Sequence, residues 1–113
     1  MATARAMLER RRSSRVSIRI PVRVFDSENQ GQPFDATAEA VAVSRTGALI
    51  RVPFSPALGS RIEVLNGNSQ ETRQFRVIRV SPRGNGQFEL GVEILYPSRD
   101  FWGVQYPDER RPG

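Results

Sequence analysis

Two arginines four residues apart, Arg11 and Arg15, are the first residues whose type and spacing indicate chemistry. A planar guanidinium fork binds phosphate bidentately and donates hydrogen bonds to O6 and N7 of guanine. Arg10 and Arg12 flank Arg11 and add positive charge at the same place. The same spacing occurs at four places in the chain, so a solvated basic arm remains the alternative interpretation of this pair.

A second candidate is the short segment Ser44-Arg45-Thr46-Gly47, which has the composition of a turn between two apolar segments. A serine hydroxyl and the amides of a turn can form a small concavity that binds anions. We expect Gly47 to have a positive φ, which glycine adopts without steric cost. Ser81 and Gly84 have the same spacing, so an ordinary turn is the alternative here.

The composition limits the chemistry further because three reactive residue types are missing. The 113 residues include no cysteine, histidine or lysine. Thiolate and Schiff-base nucleophiles, the usual general base and most zinc sites are therefore excluded. We expect a binding protein rather than an enzyme, with no metal and no cofactor.

Positive charge is concentrated at one end of the chain. Residues 1–23 contain seven arginines and one glutamate, whereas the remaining residues contain ten arginines and eleven acidic residues. A near-neutral body with a cationic arm indicates an anionic partner that meets the arm.

Six short segments, mostly of alternating polarity and separated by turn residues, must position these groups. They are predicted at residues 17–24, 34–43, 48–52, 62–65, 73–80 and 88–94. Asn66-Gly67 is typical of a hairpin, and residues 82–86 are expected to form a flexible loop. Pro21 indicates that the first strand lies at a sheet edge or has its amide side free. Six strands without a long helical pattern predict an all-β fold, either an antiparallel barrel or a sandwich.

The ends of the chain are predicted to differ from these strands. We expect a flexible arginine-rich arm at residues 1–16, the strands at 17–96, and a short irregular tail at 97–113. Phe101, Trp102 and Tyr106 are expected to pack on the body, and residues 108–113 to be disordered. The longest apolar run is four residues, 40–43, which is too short to span a bilayer. We therefore expect no membrane insertion and a cytoplasmic protein.

Taken in order, these segments resemble the PilZ domain family. An Arg-x-x-x-Arg arm precedes a Val/Ile strand, and about thirty residues later a Ser-x-x-Gly turn leads into Gly47-Ala48-Leu49-Ile50. Leu58-Gly59-Ser60-Arg61-Ile62 is similar to the following strand entry of that family. Leu90-Gly91-Val92-Glu93-Ile94 is similar to its Gly-Val-Glu-Phe-type strand. The resemblance covers about residues 10–95, which is most of the chain.

The resemblance implies a six-stranded antiparallel β-barrel and, as for many PilZ domains, a bacterial receptor for cyclic di-GMP. Arg11 and Arg15 would then contact the phosphates and guanines, while Ser44 and Gly47 would complete the other side of the site. Further ligand contacts are expected from neighbouring arginines: Arg10, Arg12 and Arg45.

One position departs from the family pattern. The second PilZ motif begins with Asp or Asn, which supplies a polar contact to guanine, and this chain has Ala42 there. A methyl group cannot make that contact, and a lost hydrogen bond commonly weakens binding by about 0.5–1.5 kcal/mol.

Two functions of different classes follow from these residues. The first is a cyclic di-GMP receptor or adaptor, a monomer or weak dimer, that signals to an unidentified effector protein when the ligand orders its arm. The second is a degenerate PilZ domain that binds no nucleotide and acts as a protein–protein interaction adaptor, which Ala42 favours. A basic arm that binds RNA or DNA is a weaker third alternative, because the body lacks a basic stripe interleaved with aromatic residues. We therefore expect no nucleic-acid partner.

Overall fold

Six β-strands account for the regular structure in a computed structural model that describes residues 15–26, 35–96 and 100–106. They are β1 (Val16–Asp26), β2 (Asp35–Val43), β3 (Gly47–Val52), β4 (Arg61–Asn66), β5 (Thr72–Gly84) and β6 (Gln87–Ile94). All neighbouring strands are antiparallel, and the order β1-β2-β3-β6-β5-β4 closes into a barrel. The expected six-stranded antiparallel barrel is therefore confirmed. Among the described residues, no helix is long and apolar enough to cross a membrane.

The alternating pattern of the strands places one set of side chains inside the barrel. In β1, Ile20, Val22 and Val24 are at most 2% exposed, and the residues between them face outward because successive side chains in a strand point to opposite faces. The other strands complete the core with inward residues of the same kind: Ile50, Val52, Ile62, Val64, Phe75, Val77, Leu90 and Val92. Each large aliphatic or aromatic side chain buried in this way contributes about 1.5–3 kcal/mol to stability.

The structure corrects two local predictions. Of the two alternatives predicted from Pro21, a sheet-edge position is wrong, since β1 pairs with both β2 and β4, whereas a free amide side agrees with the position of Pro21. It lies one residue before the β1–β4 ladder begins at Val22, and its carbonyl accepts a hydrogen bond from the Gly67 amide at 2.7 Å. Residues 82–86 are not a loop, because β5 continues to Gly84 and pairs with Gln87 across a two-residue turn.

The segment after the last strand completes the core, as predicted for Phe101, Trp102 and Tyr106, which are 4%, 5% and 6% exposed. The Phe101 ring lies 4.7 Å from the Trp102 ring and 5.6 Å from the Phe75 ring, measured between centroids. The predicted disorder of residues 108–113 falls outside the described residues, as does most of the predicted arm.

A buried asparagine attaches this tail segment to the barrel. Asn66 is 1% exposed, and its Nδ2 donates a hydrogen bond to the Phe101 carbonyl at 2.9 Å. Its Oδ1 accepts the Asn68 amide at 2.8 Å, which holds the β4–β5 hairpin turn. Sequence reasoning identified the hairpin at this position but missed the second role of Asn66.

Ion pairs join the outer faces of β1 and β2. Arg23 donates two hydrogen bonds to Asp35, at 2.8 and 3.0 Å, and Arg19 donates one to Glu39 at 3.1 Å. The hydrogen bonds to Asp35, reinforced by its negative charge, raise the pKa of Arg23 above its ordinary value. These arginines therefore serve strand pairing, although exposed pairs contribute little stability.

Candidate functional site

The candidate site lies on the outer face of the barrel, where a row of paired residues crosses four strands. Ala42 pairs with Leu49, Leu49 with Gly91, and Gly91 with Arg79. Directly paired residues in an antiparallel sheet point to the same face. Because Ala42 and Gly91 are small, Leu49 stands between two depressions.

The first depression, which we call the Ser44 cavity, has a volume of about 430 Å³. It is lined by Arg15, Ser44, Thr46, Gly47, Ala48, Leu49, Ile78, Arg79, Gly91, Val92 and Glu93. This volume falls within the range of about 300–1,000 Å³ that is usual for small-molecule sites. The cavity brings the β2–β3 turn, β5 and β6 together around one opening.

The second depression, which we call the Ala42 cavity, lies on the other side of Leu49 and has a volume of about 600 Å³. It is lined by Arg15, Ser17, Ile18, Arg19, Val41, Ala42, Leu49 and Arg51. No acidic residue occurs among these lining residues, and the buried Nε of Arg51 has no hydrogen-bond partner in the described part of the chain. Two of its three arginines have acidic partners just outside the cavity, since Arg19 pairs with Glu39 at 3.1 Å and Arg51 lies 4.0 Å from Glu89. Arg15 is therefore the lining cation that remains for a ligand, as far as the described residues show.

The Ser44 hydroxyl organises the turn between β2 and β3. Its Oγ accepts hydrogen bonds from the Gly47 amide at 3.1 Å and the Thr46 amide at 3.3 Å. The turn amides are thus directed at Ser44 rather than at an incoming anion. Ser44 Oγ also lies 3.5 Å from Thr46 Oγ1, and either hydroxyl can donate in this contact. Two accepted N–H bonds strengthen a hydroxyl donor by polarising it. The chemistry available at Ser44 is donation of one hydrogen bond, to Thr46 Oγ1 or, in its place, to a ligand oxygen.

Gly47 is required for a different reason from the one predicted. It is not among the residues with positive φ. A Cβ at this position would overlap the carbonyl oxygen of Val92 and lie 3.2 Å from its carbonyl carbon. The absence of a side chain therefore lets β3 approach β6, and the turn that carries Ser44 is fixed against the barrel wall.

The predicted site residues do not all lie in one place. Arg15 and Ser44 both line the Ser44 cavity, whereas Arg45 places its guanidinium carbon 5.7 Å from the centre of the Tyr106 ring. The remaining predicted arginines lie outside the described residues: Arg10, Arg11 and Arg12.

Sequence reasoning missed several lining residues, among them the two charged residues that β5 and β6 contribute to the Ser44 cavity, Arg79 and Glu93. Glu93 belongs to the strand segment Leu90-Gly91-Val92-Glu93-Ile94, and its outward direction follows from the alternation of that segment. Placing Arg79 beside it requires the pairing of β5 with β6 and the register shift at Ile78. In the described part of the chain, the side chains of Arg15, Arg79 and Glu93 form no hydrogen bond or ion pair, so they are available to a ligand.

Comparison with known proteins gives one match. Residues 9–101 match the family model for the PilZ domain, a range that includes all six strands and the described residues of both cavities. A search of curated proteins finds no match to the chain.

Proposed function

The chain belongs to the PilZ domain family, and from this membership we propose that it is a receptor for cyclic di-GMP that signals to a partner protein. PilZ is a family of cyclic di-GMP receptor domains, which bind a ligand and act as adaptors rather than as enzymes. Cyclic di-GMP is a bacterial second messenger, so the proposed receptor acts in the cytoplasm.

The observation that carries the proposal is the position of Arg15. Its exposed side chain lines both cavities, and Ser44 lines one of them. Cyclic di-GMP has a central ring that contains two phosphates, with one guanine on either side. In the proposed complex Arg15 contacts the phosphates between the cavities, and the Ser44 hydroxyl donates to a phosphate oxygen. Arg11 contributes a second guanidinium from the arm.

The proposed signal is ordering of the arm over the ligand. A segment that becomes ordered on binding changes the surface that a partner protein contacts. The second candidate, a PilZ domain that binds no nucleotide and recruits proteins directly, is favoured by one residue, because Ala42 removes a polar contact of the family pattern.

Calorimetric titration of the purified chain with cyclic di-GMP tests the proposal, with GTP as a control ligand. We expect saturable binding in the micromolar range or tighter. The variant Arg11→Ala/Arg15→Ala is expected to bind at least about tenfold more weakly, because each arginine makes charge-assisted hydrogen bonds. The control Arg61→Ala/Arg73→Ala removes the same two positive charges from residues that line neither cavity, and it is expected to bind normally. Absence of heat from a folded sample would contradict the receptor function and favour the adaptor.

A further inference from the structure

We propose that Glu93 and Arg79 select guanine in the Ser44 cavity. The carboxylate of Glu93 accepts hydrogen bonds from N1–H and the N2 amino group, and Arg79 donates to O6 or N7. This inference rests on the proposed function, since it identifies the residues that distinguish cyclic di-GMP from other cyclic dinucleotides. Glu93 belongs to the Gly-Val-Glu-Phe-type strand of the family resemblance but not to its two ligand motifs at Arg11, Arg15, Ser44 and Gly47, and Arg79 lies outside all segments that carry the resemblance.

The register of β5 and β6 places the two side chains on one outer surface. Gly91 pairs with Arg79, and Glu93 lies two residues further along the same strand. Diagonal neighbours of this kind have side chains about 7 Å apart, a separation suited to contacting two adjacent edges of one purine. A Cβ on Gly91 would meet the Arg79 Cβ at 3.2 Å and its Nε at 3.7 Å. The missing side chain of Gly91 therefore lets Arg79 lie across β6 toward the cavity.

The charge of Glu93 indicates which part of the ligand it meets. A carboxylate repels phosphate, and Glu93 is the acidic residue among those that line the Ser44 cavity. The ligand group beside it must therefore be uncharged and rich in donors, as the N1–H and N2 amino edge of guanine is. Adenine presents an N1 lone pair at the corresponding position, which a carboxylate also repels.

The neighbouring arginine, Arg76, does not neutralise the carboxylate of Glu93 by an ion pair in the described structure. Arg76 is its direct partner across β5 and β6, yet no ion pair within 4.0 Å joins them in the described structure. Arg76 also lines neither cavity. Apolar contact for the purine rings comes from Leu49 and from Ile78, which is 54% exposed at the register shift of β5.

The test compares Glu93→Ala with Glu63→Ala by titration with cyclic di-GMP. Both variants lose one negative charge, but Glu63 is on β4, which contributes no residue to either cavity. Removal of a carboxylate that only repels the phosphates tightens binding of a dianion. We expect the opposite sign for Glu93→Ala, with binding weakened about tenfold or more, and no such loss for Glu63→Ala. Unchanged or tighter binding by Glu93→Ala would overturn the assignment.

Base analogues separate this inference from the proposed function. Cyclic di-IMP lacks the N2 amino group, so it is expected to bind the native chain more weakly than cyclic di-GMP and to lose this disadvantage in Glu93→Ala. Cyclic di-AMP is expected to gain relative to cyclic di-GMP in the same variant. In one outcome the native chain binds cyclic di-GMP, while neither Glu93→Ala nor Arg79→Lys changes the ratios of its affinities for the three dinucleotides. In that outcome the assignment of Glu93 and Arg79 is wrong, but the proposed receptor function is retained. If the folded native chain binds none of the three, the proposed function itself fails.

Discussion

At the scale of single residues, the site depends on side chains that are small or absent as much as on arginines. Ala42 and Gly91 form the floors of the two cavities on either side of Leu49. Arginine supplies charge-assisted hydrogen bonds to phosphate, but a purine also needs an open surface against which it can lie. Ala42 removes a polar contact of the family pattern, and it also leaves open space in the Ala42 cavity.

The substitution Ala42→Asn is expected to tighten cyclic di-GMP binding about three- to tenfold, because it returns one hydrogen-bonding side chain to an open cavity. The gain is expected to be equal in the Glu93→Ala background, since the two positions lie on opposite sides of Leu49 and act on separate guanines. Titration of the single and double variants measures this additivity. A loss of affinity in Ala42→Asn, in a protein with native thermal stability, would show that open space in the Ala42 cavity contributes more to ligand binding than the added hydrogen bond.

At the scale of strands, close approach between β3 and β6 fixes the turn that carries Ser44. Gly47 pairs with Glu93 in that ladder, and the Thr46 carbonyl accepts a hydrogen bond from the Ile94 amide at 2.8 Å. The turn is therefore attached to the strand that also carries Glu93. Ser44 and Glu93, which both line the Ser44 cavity, are therefore positioned by the pairing of β3 with β6.

Replacing Gly47 with alanine is expected to destabilise the protein by about 3 kcal/mol, because the added Cβ meets backbone that cannot move without separating the strands. Gly91→Ala is the matched comparison, since its Cβ meets the side chain of Arg79. We expect it to cost less than about 1 kcal/mol of stability and yet to weaken ligand binding by filling the cavity floor. Urea unfolding and ligand titration of both variants distinguish the two effects. Equal loss of stability in the two variants would contradict this account of Gly47.

The positions of the strands along the sequence were easier to predict than the pairing of the strands in the sheet. Alternation, together with the turn residues between segments, located all six strands, because burial of one face imposes a period of two on the sequence. It could not show that β3 pairs with β6, or that a register shift at Ile78 turns Arg79 toward Glu93. Such pairings join residues far apart in sequence, and local patterns contain no information about them. Arg15 and Ser44 were therefore found from the sequence, whereas Arg79 and Glu93 required the folded chain.

At the scale of the whole molecule, the barrel is completed by a segment that belongs to no strand. Trp102 and Phe101 pack on Phe75 inside the core, with the Trp102 and Phe75 ring centroids 6.1 Å apart. Asn66 holds this segment through the Phe101 carbonyl. The described part of the tail from Phe101 to Tyr106 is therefore part of the folded unit, and we expect it to unfold together with the strands.

The variant Asn66→Ala is expected to lose about 2–4 kcal/mol of stability, since it removes the tail contact and leaves the Phe101 carbonyl without its donor. Urea unfolding monitored by the fluorescence of Trp102 measures this loss. Asn68→Ala is the control, because Asn68 is exposed and meets Asn66 through its backbone amide. A stability of Asn66→Ala equal to that of the control would show that the aromatic packing holds the tail by itself.

The stacking of Arg45 on Tyr106 brings the last described residue of the chain to the turn that carries Ser44. The first described residue, Arg15, lines the cavity at the same turn. Arg15 and Tyr106 thus both lie beside the ligand site. This proximity suits circular permutation, with a linker that retains the arm and its Arg11, and with new termini in the Asn85-Gly86 turn. It equally suits insertion of the domain between the halves of a fluorescent protein, as a sensor of the nucleotide.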